Sequence, residues 1–154
     1  MRRSWWTCWC GMTLVVATTL ACGGSSPVEP RPAYPVMTGA WTGTLTLSEL
    51  TGVIKNTCAH TWTVTNQTGN TFAGASLTSG TCRVTPGQLL GTVSENGAVS
   101  FGFDAFPRTG CTLVSGGTYA GTISGSSLLA TTTQTVQCPG GGPFTELVTI
   151  SVTK

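Results

Sequence analysis

The stretch GAWTGTLTLS, residues 39–48, decides the fold. Trp41, Gly43, Leu45 and Leu47 alternate with Thr42, Thr44, Thr46 and Ser48. A strict period of two puts one set on each face of a strand, apolar inward and hydroxyl outward. The pattern recurs along the chain. His60, Trp62 and Val64 alternate with Thr61, Thr63 and Thr65. Val99, Phe101 and Phe103 form one inward set, Tyr119, Gly121 and Ile123 another, and Phe144, Glu146, Val148, Ile150 and Val152 a third. Residues 71–78, 89–94 and 128–136 read as three less regular strands. The total is eight, with no helical period. Threonine is β-branched and keeps its hydroxyl in water, which suits the outer face of a half-buried antiparallel sheet.

The connections order these strands. Residues 66–70, 95–97 and 124–126 are short, and their Asn-Gly and Ser-Gly pairs supply tight hairpins. Residues 49–57, 79–88, 105–110 and 139–143 are longer and hold Pro86, Pro107, Pro139 and Pro143, a residue excluded from central strands. In an up-and-down order, short and long connections fall on opposite ends. One end is then tight and the other is a rim of loops. A closed eight-stranded antiparallel barrel is expected; a β-sandwich, the alternative, fits the strand number but not this alternation.

Cys58, Cys82, Cys111 and Cys138 each sit beside a long connection, so all four belong at the loop-rich end. An even number suits two disulfides in an exported chain. Bridging needs Cα atoms within about 7 Å, which favours neighbouring pairs: Cys58–Cys82 with Cys111–Cys138 is preferred, and Cys82–Cys111 stays open. Paired C-x-x-C spacing is missing, so no structural zinc site, and no metal or cofactor, is expected.

The first residues carry an address. Arg2 and Arg3 precede a mostly apolar run from Trp5 to Ala21, interrupted by threonines and short for a membrane span. Residues 1–21 read as a signal peptide. Leu20-Ala21-Cys22 before Gly23-Gly24-Ser25-Ser26 resembles the lipobox of bacterial lipoproteins, which implies acylation of Cys22 after cleavage. Several acyl chains make such anchoring durable. Residues 22–37, rich in Gly, Ser and Pro, read as anchor and tether, and residues 38–154 as the folded domain. The expected location is the bacterial cell envelope, at the outer membrane or cell surface.

Removal of Arg2 and Arg3 takes away the formal charge of +2, leaving five basic and five acidic residues. Charged residues are 8% of the chain, against about 25% in an average protein. No basic face exists for nucleic acid.

Gly39-Ala40-Trp41 at the start of an eight-stranded meander resembles the G-x-W opening of the lipocalin, fatty-acid-binding and avidin group. The stretch CAHTWTVTNQTGNTFAGA (residues 58–75) resembles the second hairpin of small lipocalin-like bacterial lipoproteins. Lipocalins cover the Trp with an Arg near the last strand. This chain departs from that pattern: its last strand offers only Lys154, which would end beside Trp41.

Catalysis is not expected. His60 is the single histidine, and Glu29, Glu49 and Glu95 are scattered through stalk, loop and turn. Asp104 and Glu146 lie on separate strands with no spacing that argues for a carboxylate pair. His60 and Glu146 nevertheless occupy inward phases and form the candidate polar mouth of a cavity lined by Trp62, Phe101, Phe103 and Tyr119. Inward Gly43, Gly91 and Gly121 leave room. The expected function is binding of a small, partly apolar ligand or peptide by a membrane-anchored barrel. A filled barrel with a structural or protein-interaction role is the alternative.

Overall fold

The computed structural model describes residues 33–50, 52, 54–80, 82, 87–104 and 110–154. The signal peptide, Cys22 and the tether up to residue 32 lie outside the described residues, as do Arg83, Pro86, Pro107 and Arg108. Nine strands are described: β1 Gly39–Glu49, β2 Ile54–Thr68, β3 Thr71–Ser79, β4 Gly87–Val93, β5 Ala98–Phe103, β6 Thr112–Ser115, β7 Thr118–Ser124, β8 Ser127–Gln137 and β9 Phe144–Thr153. All pairings are antiparallel. The order β1-β2-β3-β4-β5-β7-β8 is completed by β9, which pairs with both β8 and β1. The sheet closes into an eight-stranded up-and-down barrel, which removes the open edges a sandwich keeps.

The extra strand, β6, is the first half of the sixth wall. Ser115 of β6 lies opposite Thr135, and Ala120 of β7 lies opposite Thr131 further along the same edge of β8. Between them Gly116 and Gly117 take φ of 92° and 93°, a conformation that costs a side chain-bearing residue. The Gly-Gly pair reads as a break, which hid the four residues before it.

Alternation settles the register. Trp41, Leu45 and Leu47 of β1 are buried while Thr42 and Thr44 are exposed. A one-residue slip would send the whole apolar set outward. Ser48 departs from the pattern: assigned outward, it is buried, where the β1–β2 register slips from Leu47 opposite Asn56 to Ser48 opposite Ile54. β2 also starts earlier than expected, so the first connection of the loop-rich end is 50–53 rather than 49–57.

The tight end carries a plug. Met37, placed in the tether by composition, is fully buried in the core, and Tyr34 packs against the same core. Burial of a side chain of that size contributes about 1.5–3 kcal/mol. The backbone N–H of Met37 donates to Gln67 Oε1 at 2.7 Å, and Gln67 Nε2 donates to the Pro35 carbonyl at 2.9 Å. Trp41 Nε1 donates to the Met37 carbonyl at 2.8 Å. Lys154 Nζ lies 5.5 Å from the centroid of the Trp41 ring, within cation–π range. A lysine thus stands where the lipocalin pattern has an arginine.

At the opposite end, Cys58–Cys82 and Cys111–Cys138 are the disulfides, with Cα separations of 6.0 and 4.2 Å. Cys58–Cys82 ties β2 to the β3–β4 connection. Cys111–Cys138 ties the residue before β6 to the residue after β8.

Candidate functional site in the barrel interior and at its mouth

Alternation brings five of the six candidate side chains into one cluster. Trp62 and His60 enter from β2, Phe101 and Phe103 from β5, and Tyr119 from β7. Trp62 meets Phe101 edge-on with ring centroids 4.8 Å apart, and Phe101 stacks on Tyr119 at 5.1 Å. Phe103 touches Tyr119 at 5.3 Å and the His60 ring at 5.9 Å. Contacts of this kind add about 0.5–1.5 kcal/mol each beyond the area they bury. The rings line one another.

The inward glycines are filled in the same way. A Cβ on Gly43 would stand 2.0 Å from the Ser151 carbonyl oxygen, and one on Gly121 2.1 Å from that of Leu129. On Gly91 it would stand 2.4 Å from the Phe72 ring. These positions admit neighbouring strands and rings, so the room expected from them is occupied.

His60 is buried at mid-barrel. Its Nε2 accepts the indole N–H of Trp62 at 2.5 Å, and its Nδ1 lies 2.6 Å from Thr78 Oγ1. An acceptor at Nε2 fixes the neutral tautomer with hydrogen on Nδ1, which donates to Thr78. Burial pushes the imidazole down from 6.5 to about 4. Protonation would set a second N–H against the indole N–H.

His60 and Glu146 are not a pair. His60 lies opposite Gly43 on β1, whereas Glu146 lies opposite Glu49 near the mouth. Glu146 instead accepts a hydrogen bond from Gln134 Nε2 at 3.0 Å, across the β8–β9 ladder. Its charge and burial together raise the Tyr119 hydroxyl well above its ordinary pKa, burial being the larger cause.

This corner holds what sequence reasoning missed. Gln134 is buried on the inward phase of β8, beside buried Thr132. Its Oε1 and the Tyr119 hydroxyl are both buried without a hydrogen-bond partner among the described residues. Turning the Gln134 amide round would point its oxygen at the Glu146 carboxylate, so the assigned orientation holds. An orphaned buried polar atom costs about 1–3 kcal/mol. The break between β6 and β7 sits here too: a Cβ on Gly116 would lie 2.8 Å from Gln134 Cα. The signal for Gln134 was its phase in residues 128–136, hidden by a run of polar residues.

Glu146 also opens outward. A cavity of about 530 Å³ at the loop-rich end is lined by Ser48, Glu49, Lys55, Asn56, Phe144, Thr145 and Glu146. Glu49, expected in a loop, is the last residue of β1 and lies directly opposite Glu146. Lys55 pairs with Glu49 at 2.6 Å. Drug-sized ligands occupy cavities of about 300–1,000 Å³.

The fold and site together define an eight-stranded, disulfide-bridged barrel of lipocalin-like form with a polar corner at its mouth. Compared with known proteins, the chain matches no family model, no curated protein and no solved structure.

Proposed function

We infer that this chain is an exported bacterial lipoprotein, held to a membrane through Cys22, that binds a small, partly apolar ligand at the loop-rich mouth of its barrel. The observation that carries the binding reading is the orphaned pair, the Tyr119 hydroxyl and Gln134 Oε1. The first needs an acceptor and the second a donor. A head group with both, such as an amide or a hydroxyl, answers them, while Phe144, which lines the mouth cavity beside Glu146, supplies apolar contact. Two disulfides in the folded part support export into an oxidising compartment.

The second reading, a filled barrel serving structure or protein interaction, is favoured by the mutual ring contacts and by the tight approaches at Gly43, Gly91 and Gly121. Native mass spectrometry of the chain extracted from its own host separates the two. A bound mass that disappears in Tyr119→Phe supports the ligand reading; a bare chain in the wild type supports the filled barrel. Cys22→Ser should release the protein from the membrane fraction or leave it uncleaved. Unchanged fractionation at mature size would refute the anchor.

A further inference from the structure

A second concavity lies at the tight end, remote from the mouth. It is a shallow groove of about 690 Å³ between the β4–β5 hairpin and the plug. Its side chains include Tyr34, Asn70, Thr92, Glu95, Asn96 and Ser100. We propose that this groove is a binding site for a neutral carbohydrate.

Three observations carry it. The scaffold is rigid: Gly97 N–H donates to the Ser94 carbonyl at 2.9 Å, Ser94 N–H to Ala98 at 2.8 Å, and Ile123 N–H to Gly97 at 2.8 Å. The lining groups remain available. Asn96 uses only its oxygen, which accepts from Ser94 Oγ at 2.5 Å and from the Ala98 N–H at 3.3 Å. Its NH₂ has no partner among the described residues, and no side-chain bond engages Asn70, Thr92, Ser100 or the Tyr34 hydroxyl there. Amides and hydroxyls that both donate and accept, beside one half-buried aromatic ring, match the mixed demand of sugar hydroxyls and the apolar face of a pyranose.

Other ligand classes fit poorly. Among the described residues no Lys or Arg lines the groove, and Glu95 repels anions, so a phosphate or an acidic peptide finds no counter-charge there. The large exposed apolar side chains of the barrel, such as Leu77, Leu90 and Leu129, lie elsewhere. Val93 and Val99 are sunk in the core, so an apolar peptide finds no anchor. A composition of Tyr, Ser and Asn on a fixed backbone is also that of adaptable polar recognition surfaces.

The test is retention of the full chain on three insoluble neutral polymers, chitin, cellulose and starch, beside Tyr34→Ala, Asn70→Ala and Tyr119→Phe. Retention on at least one polymer, falling tenfold or more in Tyr34→Ala and Asn70→Ala and unchanged in Tyr119→Phe, is expected. Asn70→Ala decides if Tyr34→Ala unfolds, because its side chain supports nothing in the fold. No retention on any polymer, or a loss of less than tenfold in Asn70→Ala, overturns the proposal. Loss in Tyr119→Phe with Asn70→Ala unaffected would assign the sugar to the mouth instead and overturn it equally.

Discussion

The indole N–H of Trp62 donates to Nε2 of His60, two residues earlier on the same strand and the same inward face. That bond holds only while His60 is neutral. The single histidine of the chain is therefore a hydrogen-bond relay, indole to imidazole to Thr78, rather than a charged group at an entrance.

Stability should consequently fall as the solution is acidified. The folded pKa, about 4, lies below the unfolded value of about 6.5. Between these values the unfolded chain binds a proton that the folded chain refuses, so stability present above pH 6.5 is lost as pH drops towards 4. From pH 7 to pH 5 the loss should be about 2 kcal/mol, at about 1.36 kcal/mol per pH unit. Urea unfolding at the two values measures it, and His60→Gln should flatten the dependence. An equally steep slope in that variant would show that other groups cause it.

Gly43→Ala should destabilise the barrel by about 3 kcal/mol or more, at the upper end for overpacking. The added methyl meets the backbone of β9, which cannot rotate aside. Gly141→Ala, with nothing within 4 Å of its Cβ, is the neutral control. Equal denaturation midpoints would mean that β1 and β9 approach less closely than described.

Each disulfide closes a loop with a sequence separation of 24 or 27, for which chain entropy gives about 3–4 kcal/mol. Replacing Cys58 and Cys82 by Ala should lower stability by roughly that amount, and the Cys111–Cys138 pair likewise. Thiol titration of the mature domain under denaturing, non-reducing conditions should find all four of these sulfurs blocked. Two or more reactive thiols among the four would contradict the bridges.

Tyr119→Phe should make the ligand-free barrel more stable by about 1 kcal/mol or more. The change deletes an orphaned buried hydroxyl while keeping the ring stacked on Phe101. A loss of stability would mean that the hydroxyl is satisfied in solution, and the argument for a ligand there would fail with it.

Period-two alternation made the barrel, its closure and the disulfide end legible, because Thr outward and Trp, Leu, Ile or Val inward leave one workable register. Lys154 beside Trp41 was legible from the closing strand, although the lipocalin pattern has an Arg there. What stayed hidden depended on neighbours across the ladder. Gly43 and Gly91 look like empty space in one dimension and become contact points once the Ser151 carbonyl and the Phe72 ring come against them. Glu49 looks like loop until β9 pairs with it. Gln134 shares its inward phase with Thr132, and buried polar residues on one strand do not announce themselves as a site. His60 and Glu146 shared an inward phase but not a level, since phase fixes the face of a strand and says nothing of height along the barrel.

The most direct test is a crystal structure of the chain purified from its own host membranes, read at the polar corner. Density for a bound molecule is expected in the mouth, with polar atoms within hydrogen-bond distance of the Tyr119 hydroxyl and Gln134 Oε1. A corner in which both atoms bond only to ordered water, with no other density in the mouth, would contradict the ligand reading and leave a barrel filled by its own side chains.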